Sequence, residues 1–404
     1  MQDDTSNPSG RGRDLFTKDT EDCLADMAEP SGRGRAWVEI DLDALAYNVA
    51  ELRSRLPAGC ELMAVVKANA YGHGADKVAK RLWDEGVRAY AVATVSEGVY
   101  LRKHGLDGQI LVMGYTHPGD AGFLNNFRLS QLVVSASYAK VLDEAGYEVN
   151  VHIAVDTGMH RQGIQSADLA EIESVYACKN LNVEGVATHL ASSDSLVEED
   201  LRFTEAQIER FRAVVDYLKA KGYNVGKIHS QASYGVYNYP DVQCDYARAG
   251  IAMYGVMSHG EITRIKPDLR PVLSLKALIG QVRWIGAGES VSYGRIYTTE
   301  KPIRLATVSI GYADGVPRHM SGSDGLCIIH GRKVPIVGRI CMDMLMIDVT
   351  EVDAVEAGDT VTLIGNDGGA EIRCEDVAEA SQTITNDILC RLGNRLPRVY
   401  KGLR

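Results

Sequence analysis

The apolar positions of this chain fall into two regimes. From residue 36 to about residue 270, short β-branched runs alternate with segments whose apolar residues recur every three or four positions. The runs LMAVVK (62–67), AYAVAT (89–94), QILVMG (109–114), QLVV (131–134), VNVHIAVD (149–156), VEGVATH (183–189), KIHS (227–230) and ARAGIAMYG (247–255) read as eight strands. LDALAYNVAELRSRL (42–56) and EDLRFTEAQIERFRAVVDYLKAKG (199–222) carry helical periodicity between them. Repeated strand–helix alternation predicts an α/β fold with a parallel sheet. Eight units predict a closed (β/α)8 TIM-like barrel, with an open doubly wound sheet as the rival.

After residue 270 the pattern changes. LSLKALIGQVRWI, IRLATVSIG, GLCIIHGRKVPIV, MLMIDVT and DTVTLIG are strands separated by Gly- and Asp-rich turns, and one helix is expected over 375–393. This predicts a mostly β C-terminal domain over 271–404, a barrel over 36–270, and Trp37–Ile40 as a segment able to pair with the second domain. Residues 1–35 differ from both. They are rich in Ser, Gly, Asp and Arg, repeat PSGRGR at 8–13 and 30–35, and read as a flexible tail.

Composition narrows the function. A net charge of −11 argues against nucleic acid or an anionic membrane surface as the main partner. No apolar stretch reaches membrane-spanning length, and the N-terminus lacks a signal-peptide core, so a cytoplasmic address is expected. The eight cysteines are dispersed without C-x-x-C pairs, which fits a reducing compartment, and no zinc-ligand spacing occurs, so no metal is expected.

Chemistry in a barrel gathers at the C-terminal ends of the strands. There the sequence places Lys67, Asp156 followed by Arg161, His189, His229 with Ser233, and Arg248. Lys67 has two readings. It caps a strand and reaches into water, or its apolar surroundings lower its pKa and suit it to Schiff-base chemistry. Several such residues on one rim favour a site. GVMSHG and GNDGG match no nucleotide-binding motif and read as turns.

AVVKANAYGHG (64–74) resembles the pyridoxal-phosphate lysine motif of the alanine racemase family. VDTGMHR, THLASSD, HSQAS, RAGIAMYG, VSYGRIY, IGYADG, VGRICMD and NRLPR resemble further motifs of that family in the same order, over roughly 36–404. The resemblance implies a barrel followed by a β domain, pyridoxal 5'-phosphate as cofactor, a small amino acid as substrate, and a homodimer with shared active sites. By residue, it implies that Lys67 holds the cofactor and acts as one base, and that Tyr71, Ser233, Gly250 and Ile251 bind the phosphate. Arg248 would face the pyridine nitrogen, with His229 behind it. Tyr293 would be the base for the opposite face, assisted by a His189–Arg248 relay. Arg161 would hold the substrate carboxylate, and Met342 and Asp343 would border the substrate. Because a guanidinium does not readily give up a proton, Arg248 would leave the ring nitrogen unprotonated.

Two positions depart from the common pattern. Ala154 stands where many members carry a carbamylated lysine that orients the substrate arginine, and His160 replaces a small residue beside that arginine. Asn394 stands where a tyrosine is common; it is shorter and offers a hydrogen-bond partner for a serine hydroxyl. At Asn394 the chain looks like the racemases of the vancomycin-resistance type, which handle serine as well as alanine and usually add a membrane domain. Ala232 replaces a frequent asparagine. The leading expectation is therefore an alanine/serine racemase. The alternatives are a non-catalytic pyridoxal-phosphate carrier, a fold-related decarboxylase and a cofactor-free barrel.

Overall fold

All four residues of Ala89–Val92, and likewise of Ser130–Val133, are buried, as expected of strands covered on both faces. In the computed structural model, which describes residues 33–258, 263–322 and 325–403, these strands belong to a parallel sheet. Its strands are β2 (Glu61–Val65), β3 (Ala89–Val92), β4 (Gln109–Val112), β5 (Ser130–Val133), β6 (Val149–Asp156), β7 (Leu181–Ala187), β8 (Lys227–His229) and β9 (Tyr246–Ala249). β9 pairs back onto β2, with Arg248 beside Met63. The seam between β8 and β9 is stitched by backbone bonds from Asp245 N to Ile228 O (2.7 Å) and from Arg248 N to Gln231 O (3.0 Å). The sheet is thus a nearly closed barrel, and the open-sheet rival is excluded.

The helices follow their sequence signals. α1 (Leu42–Arg55) starts at Asp41, whose carboxylate accepts from the N–H groups of Asp43 and Ala44, and buries Leu42, Leu45, Val49 and Leu52 on one face. α2 (Glu198–Ala220) buries Gln207, Phe211, Val214 and Leu218 against the barrel. Among the described residues no helix is long and apolar enough to cross a membrane.

The second sheet is mostly antiparallel. β10 (Leu273–Ile285) pairs with β11 (Ile303–Val308) and β14 (Thr360–Asp367). β12 (Leu326–Ile329) lies against β14, and β13 (Leu345–Asp348) against β11. The segment Trp37–Ile40 belongs here. It lies in β1 (Ala36–Asp41), antiparallel to β10 and parallel to β15 (Arg398–Lys401), so the described chain passes through this sheet before entering the barrel. One apolar core runs through both units. The single helix expected over 375–393 is two, α3 (Cys374–Ala380) and α4 (Thr385–Arg391). Gln382 turns to φ 55°, and the Thr383 hydroxyl donates to Asp387 at 2.9 Å, which breaks the helical path.

Of GNDGG, Gly365–Asp367 end β14 and only Gly368–Gly369 form the turn, because the first three residues pair with Ala370–Ile372. The first PSGRGR copy and the end of GVMSHG lie outside the described residues. Of the second copy, Arg35 donates two bonds to the buried Asp314 (2.9 and 3.0 Å) and one to the Asp343 carbonyl (2.9 Å).

Candidate functional site

β2 ends at Val65, two residues before the lysine, so Lys67 opens a turn rather than closing a strand. Ala68, Asn69, Ala70 and Tyr71 all adopt left-handed φ values of 52°, 53°, 53° and 52°. Such a conformation costs roughly 1–2 kcal/mol per non-glycine residue, so four in a row need external support. Glu97 supplies part of it. Its carboxylate accepts from Ala68 N at 2.6 Å and Ala93 N at 2.7 Å. Asn69 Oδ1 accepts from Ala75 N at 2.8 Å, and Arg398 Nε donates to Gly72 O at 3.0 Å. Gly72 permits the close packing: a Cβ there would lie 2.3 Å from the Leu389 carbonyl of α4.

Lys67 lines a cavity of about 330 Å³ at the C-terminal end of the barrel. Burial lowers the pKa of its ammonium, and Arg161 lowers it further. The cavity also contains Tyr71, Ala154, Arg161, His189, His229, Ser233, Arg248, Gly250 and Ile251. Asp194 is the one carboxylate among the described lining residues. The cavity is therefore suited to an anionic ligand.

Arg248 is buried and satisfied wholly by neutral groups. Its guanidinium donates to the carbonyls of Thr188 (2.7 Å), His229 (2.9 Å) and Ser230 (3.3 Å). It also reaches His229 Nδ1 at 2.7 Å and His189 Nδ1 at 3.1 Å. Burial pulls the Arg248 pKa down to about 10. Burial, then Arg248, Arg161 and Lys67, lower His189 to about 3, so it is neutral near pH 7 and accepts from Arg248 through Nδ1. His229 is likewise lowered well below its ordinary value by burial and Arg248.

A second feature is a cradle. The Ser233 hydroxyl accepts from Gly250 N (3.0 Å) and Ala252 N (3.3 Å), which fixes the Gly250–Ile251 backbone at the end of β9. A Cβ at Gly250 would lie 2.8 Å from the Tyr71 hydroxyl, so glycine is what lets that hydroxyl approach the main chain. Burial holds the Tyr71 hydroxyl protonated, well above its ordinary range.

On the opposite side, Asp156 shapes the turn that carries Arg161. Its carboxylate accepts from Gly158 N (2.9 Å) and His160 N (3.1 Å) and pairs with His160 Nδ1 (2.9 Å). His160, at φ 54°, is thus committed to that turn. Arg161 makes no hydrogen bond or ion pair with any described residue, and the methyl of Ala154 offers it no acceptor.

Four expected site residues lie elsewhere in the chain. Tyr293 begins a short 3-10 turn rather than sitting in a strand, is 69% exposed, and lines a separate surface depression with Cys341 and Met344. Met342 is exposed, and Asp343 is paired with Arg395 at 2.6 Å. Asn394 is exposed in the turn after α4. Arg398 donates to the carbonyl of its neighbour Gly393 (2.6 Å) as well as to Gly72, which places Asn394 beside the lysine turn.

Sequence reasoning missed Glu97, His152 and Glu184. Glu97 was signalled by the Thr94-x-x-Glu97 capping box, which forms at the start of the helix Val95–Lys103. His152 was signalled only by being a polar residue in the buried run of β6.

With that geometry in view, the chain matches two family models, "Alanine racemase, N-terminal domain" over residues 40–258 and "Alanine racemase, C-terminal domain" over 272–400. It is 40% identical to an alanine racemase of Desulfosudis oleivorans over 90% of this chain and 96% of that one. It is 42% identical to an amino-acid racemase of Enterococcus faecalis over 89% of its own residues, but it spans about half (51%) of that relative's length. The alanine racemase of Streptomyces coelicolor A3(2) superposes with a TM-score of 0.85 at 35% identity, covering 93% of this chain and all of that one. Family models over most of the chain, and a relative matched over nearly its full length, show that the chain belongs to the alanine racemase family, whose cofactor is pyridoxal 5'-phosphate.

Proposed function

We propose that this chain is a racemase that interconverts the L- and D-enantiomers of a small amino acid, alanine or serine, using Lys67 and Tyr293 as its two bases. The observation that carries the reading is one cavity holding a half-buried lysine, a guanidinium with only neutral partners, and a glycine-based cradle.

These residues fit the cofactor. The Gly250–Ile251 backbone, Ser233 and Tyr71 would take the phosphate, since Gly250 lets the Tyr71 hydroxyl and the main chain line one cradle. Lys67 would take the aldehyde carbon, and Arg248 would donate to the ring nitrogen. Bound there, pyridoxal phosphate supplies the electron sink that makes the substrate Cα–H acidic. The chain does the rest. Arg161, which has no partner among the described residues, holds the substrate carboxylate. Lys67 moves the proton on one face, and a lowered pKa places more of its amine in the base form near pH 7. The Nε2–H of neutral His189 would be a donor to the Tyr293 hydroxyl of a second copy.

Within one chain Tyr293 and Lys67 line different cavities, so the reading needs a second copy. Tyr293 and Met344, both exposed, line one depression on the second unit, and this supports a homodimer with sites shared between subunits. Asn394, beside the lysine turn, supports serine as a substrate alongside alanine. Arg248, a guanidinium with no carboxylate partner among the described residues, disfavours the decarboxylase reading, since that chemistry calls for an acidic partner at the ring nitrogen.

The test is a racemisation assay with L-Ala, L-Ser and larger amino acids, following loss of optical rotation in the presence of added cofactor. Turnover of alanine or serine with a visible absorbance band that borohydride abolishes is the expected result. Colourless protein with no turnover would overturn it.

A further inference from the structure

Arg248 is one end of a buried file of side chains that leaves the cavity through the barrel interior. His229 and His152 are both fully buried, and His229 Nε2 lies 2.8 Å from His152 Nδ1. His152 Nε2 then meets Glu184 of β7 at 3.4 Å and Gln109 Nε2 at 2.9 Å. Glu184 also accepts from Gln109 Nε2 at 2.8 Å and from the Ser130 hydroxyl in close contact. The file ends among Gln109 and Ser130, the first residues of β4 and β5. Gly185 makes room for it: a Cβ there would lie 2.1 Å from His152 Nδ1.

The direction of the file follows from proton counting. A guanidinium only donates, so His229 Nδ1 accepts and its proton is on Nε2. That proton faces His152 Nδ1, which must accept, so the His152 proton is on Nε2. The last member must therefore accept as well. Gln109 presents an amide nitrogen, which has no lone pair to offer, and its Oε1 is buried without a partner. Gln109 Nε2 and His152 Nε2 are then both donors, so their N–H groups converge on Glu184 rather than on each other, and Glu184 is the acceptor that completes the file. Burial raises the pKa of its carboxyl, but hydrogen bonds from His152, Ser130 and Gln109 outweigh that and keep it below the ordinary carboxylate range.

We propose that Glu184 is a positioning residue for Arg248: by terminating a one-way relay Arg248→His229→His152→Glu184, it locks both imidazoles in the Nε2–H form and fixes how the guanidinium is presented to the cofactor ring. This rests on the assignment of Arg248 to that ring. Without an acceptor at 184, His152 either leaves its Nε2–H unpaired or moves the proton to Nδ1. There it would meet the His229 Nε2–H head-on, and the fault would pass to Arg248.

The test starts with the cofactor-free protein, histidine-labelled with 15N, and reads ring tautomers from long-range 1H–15N spectra at pH 7. Wild type should show Nε2–H at both His152 and His229; Nδ1–H at His152 would overturn the relay even if the enzyme racemises. Glu184→Gln keeps an acceptor oxygen and should preserve both tautomers. Glu184→Leu should lose them, shift the pH titration of the cofactor absorbance band in the loaded enzyme, and lower kcat about tenfold or more with KM changed less than about twofold. A fall in kcat with tautomers and band unchanged would make Glu184 merely structural and overturn the proposal. A wild type that shows the tautomers yet racemises nothing would instead overturn the proposed function.

Discussion

At the scale of single residues, the cavity is built from small permissions. Gly250 is the clearest, because a methyl there meets the end of the Tyr71 side chain at 2.8 Å. Tyr71 is buried and packs on the Tyr254 ring, so Gly250→Ala should cost the apo fold about 1–3 kcal/mol of overpacking. It should also move the hydroxyl out of the cradle and weaken cofactor binding about tenfold, ~1.4 kcal/mol. Equilibrium titration of apo protein with pyridoxal phosphate, beside a thermal melt, separates the two effects. Asn394 is the other residue with a consequence of its own. Asn394→Tyr fills the space beside the lysine turn and removes a partner for a serine hydroxyl. The serine-to-alanine ratio of kcat/KM should fall about tenfold, and an unchanged ratio would remove Asn394 from the specificity argument.

At the scale of elements, the lysine turn and the barrel strands store a pH dependence. His73 lies under that turn. Its Nδ1 donates to the Ala70 and Tyr71 carbonyls (3.0 and 2.9 Å), its Nε2 has no partner, and burial lowers its pKa to about 4. His189, at about 3, and His229 are lowered too. In the unfolded chain all three bind a proton near pH 6.5, whereas in the folded one they stay neutral. As pH falls below about 6.5 the unfolded state therefore binds more protons and stability is lost, until the folded pKa values are reached near 4 and 3. Each such histidine adds a slope of up to ~1.4 kcal/mol per pH unit. Urea unfolding of the apo protein between pH 7 and pH 4.5 should show this decline, and His73→Gln should reduce the slope by about one histidine's share.

At the scale of the whole molecule, the separation of Lys67 from Tyr293 within one chain is the governing fact. Lys67→Ala and Tyr293→Phe chains should each be inactive. Mixed in equal amounts and allowed to exchange, half the dimers would carry both kinds of chain with one intact site each. Activity should then return to about a quarter of the wild-type value; no recovery would argue against shared sites.

Much of this organisation was legible before any coordinates. Strand–helix alternation and the burial it implies foretold the barrel, and VNVHIAVD forms a strand over the residues its pattern marks. The lysine turn was not legible in the same way. AVVKANAYGHG reads as a strand running into its lysine, because propensity carries no term for the contacts of Glu97 and Arg398 that hold four residues left-handed. The end of the chain failed for a related reason, since one periodic stretch became two helices around Gln382.

The sequence by itself determined the alternation of elements, the residue types that suit pyridoxal phosphate chemistry, and the departures at Ala154 and Asn394. These depend on local spacing and on side-chain identity, which a linear chain displays. Tertiary structure decided which groups meet: that Arg248 has only neutral partners, that His160 belongs to Asp156, that β1 joins the second sheet, and that a file of two histidines connects Arg248 to Glu184. The His160–Asp156 pair is local to one turn, but the others join strands from 19 to more than two hundred residues apart. Only barrel closure and sheet register bring them within hydrogen-bonding distance, and neither is encoded at any single position.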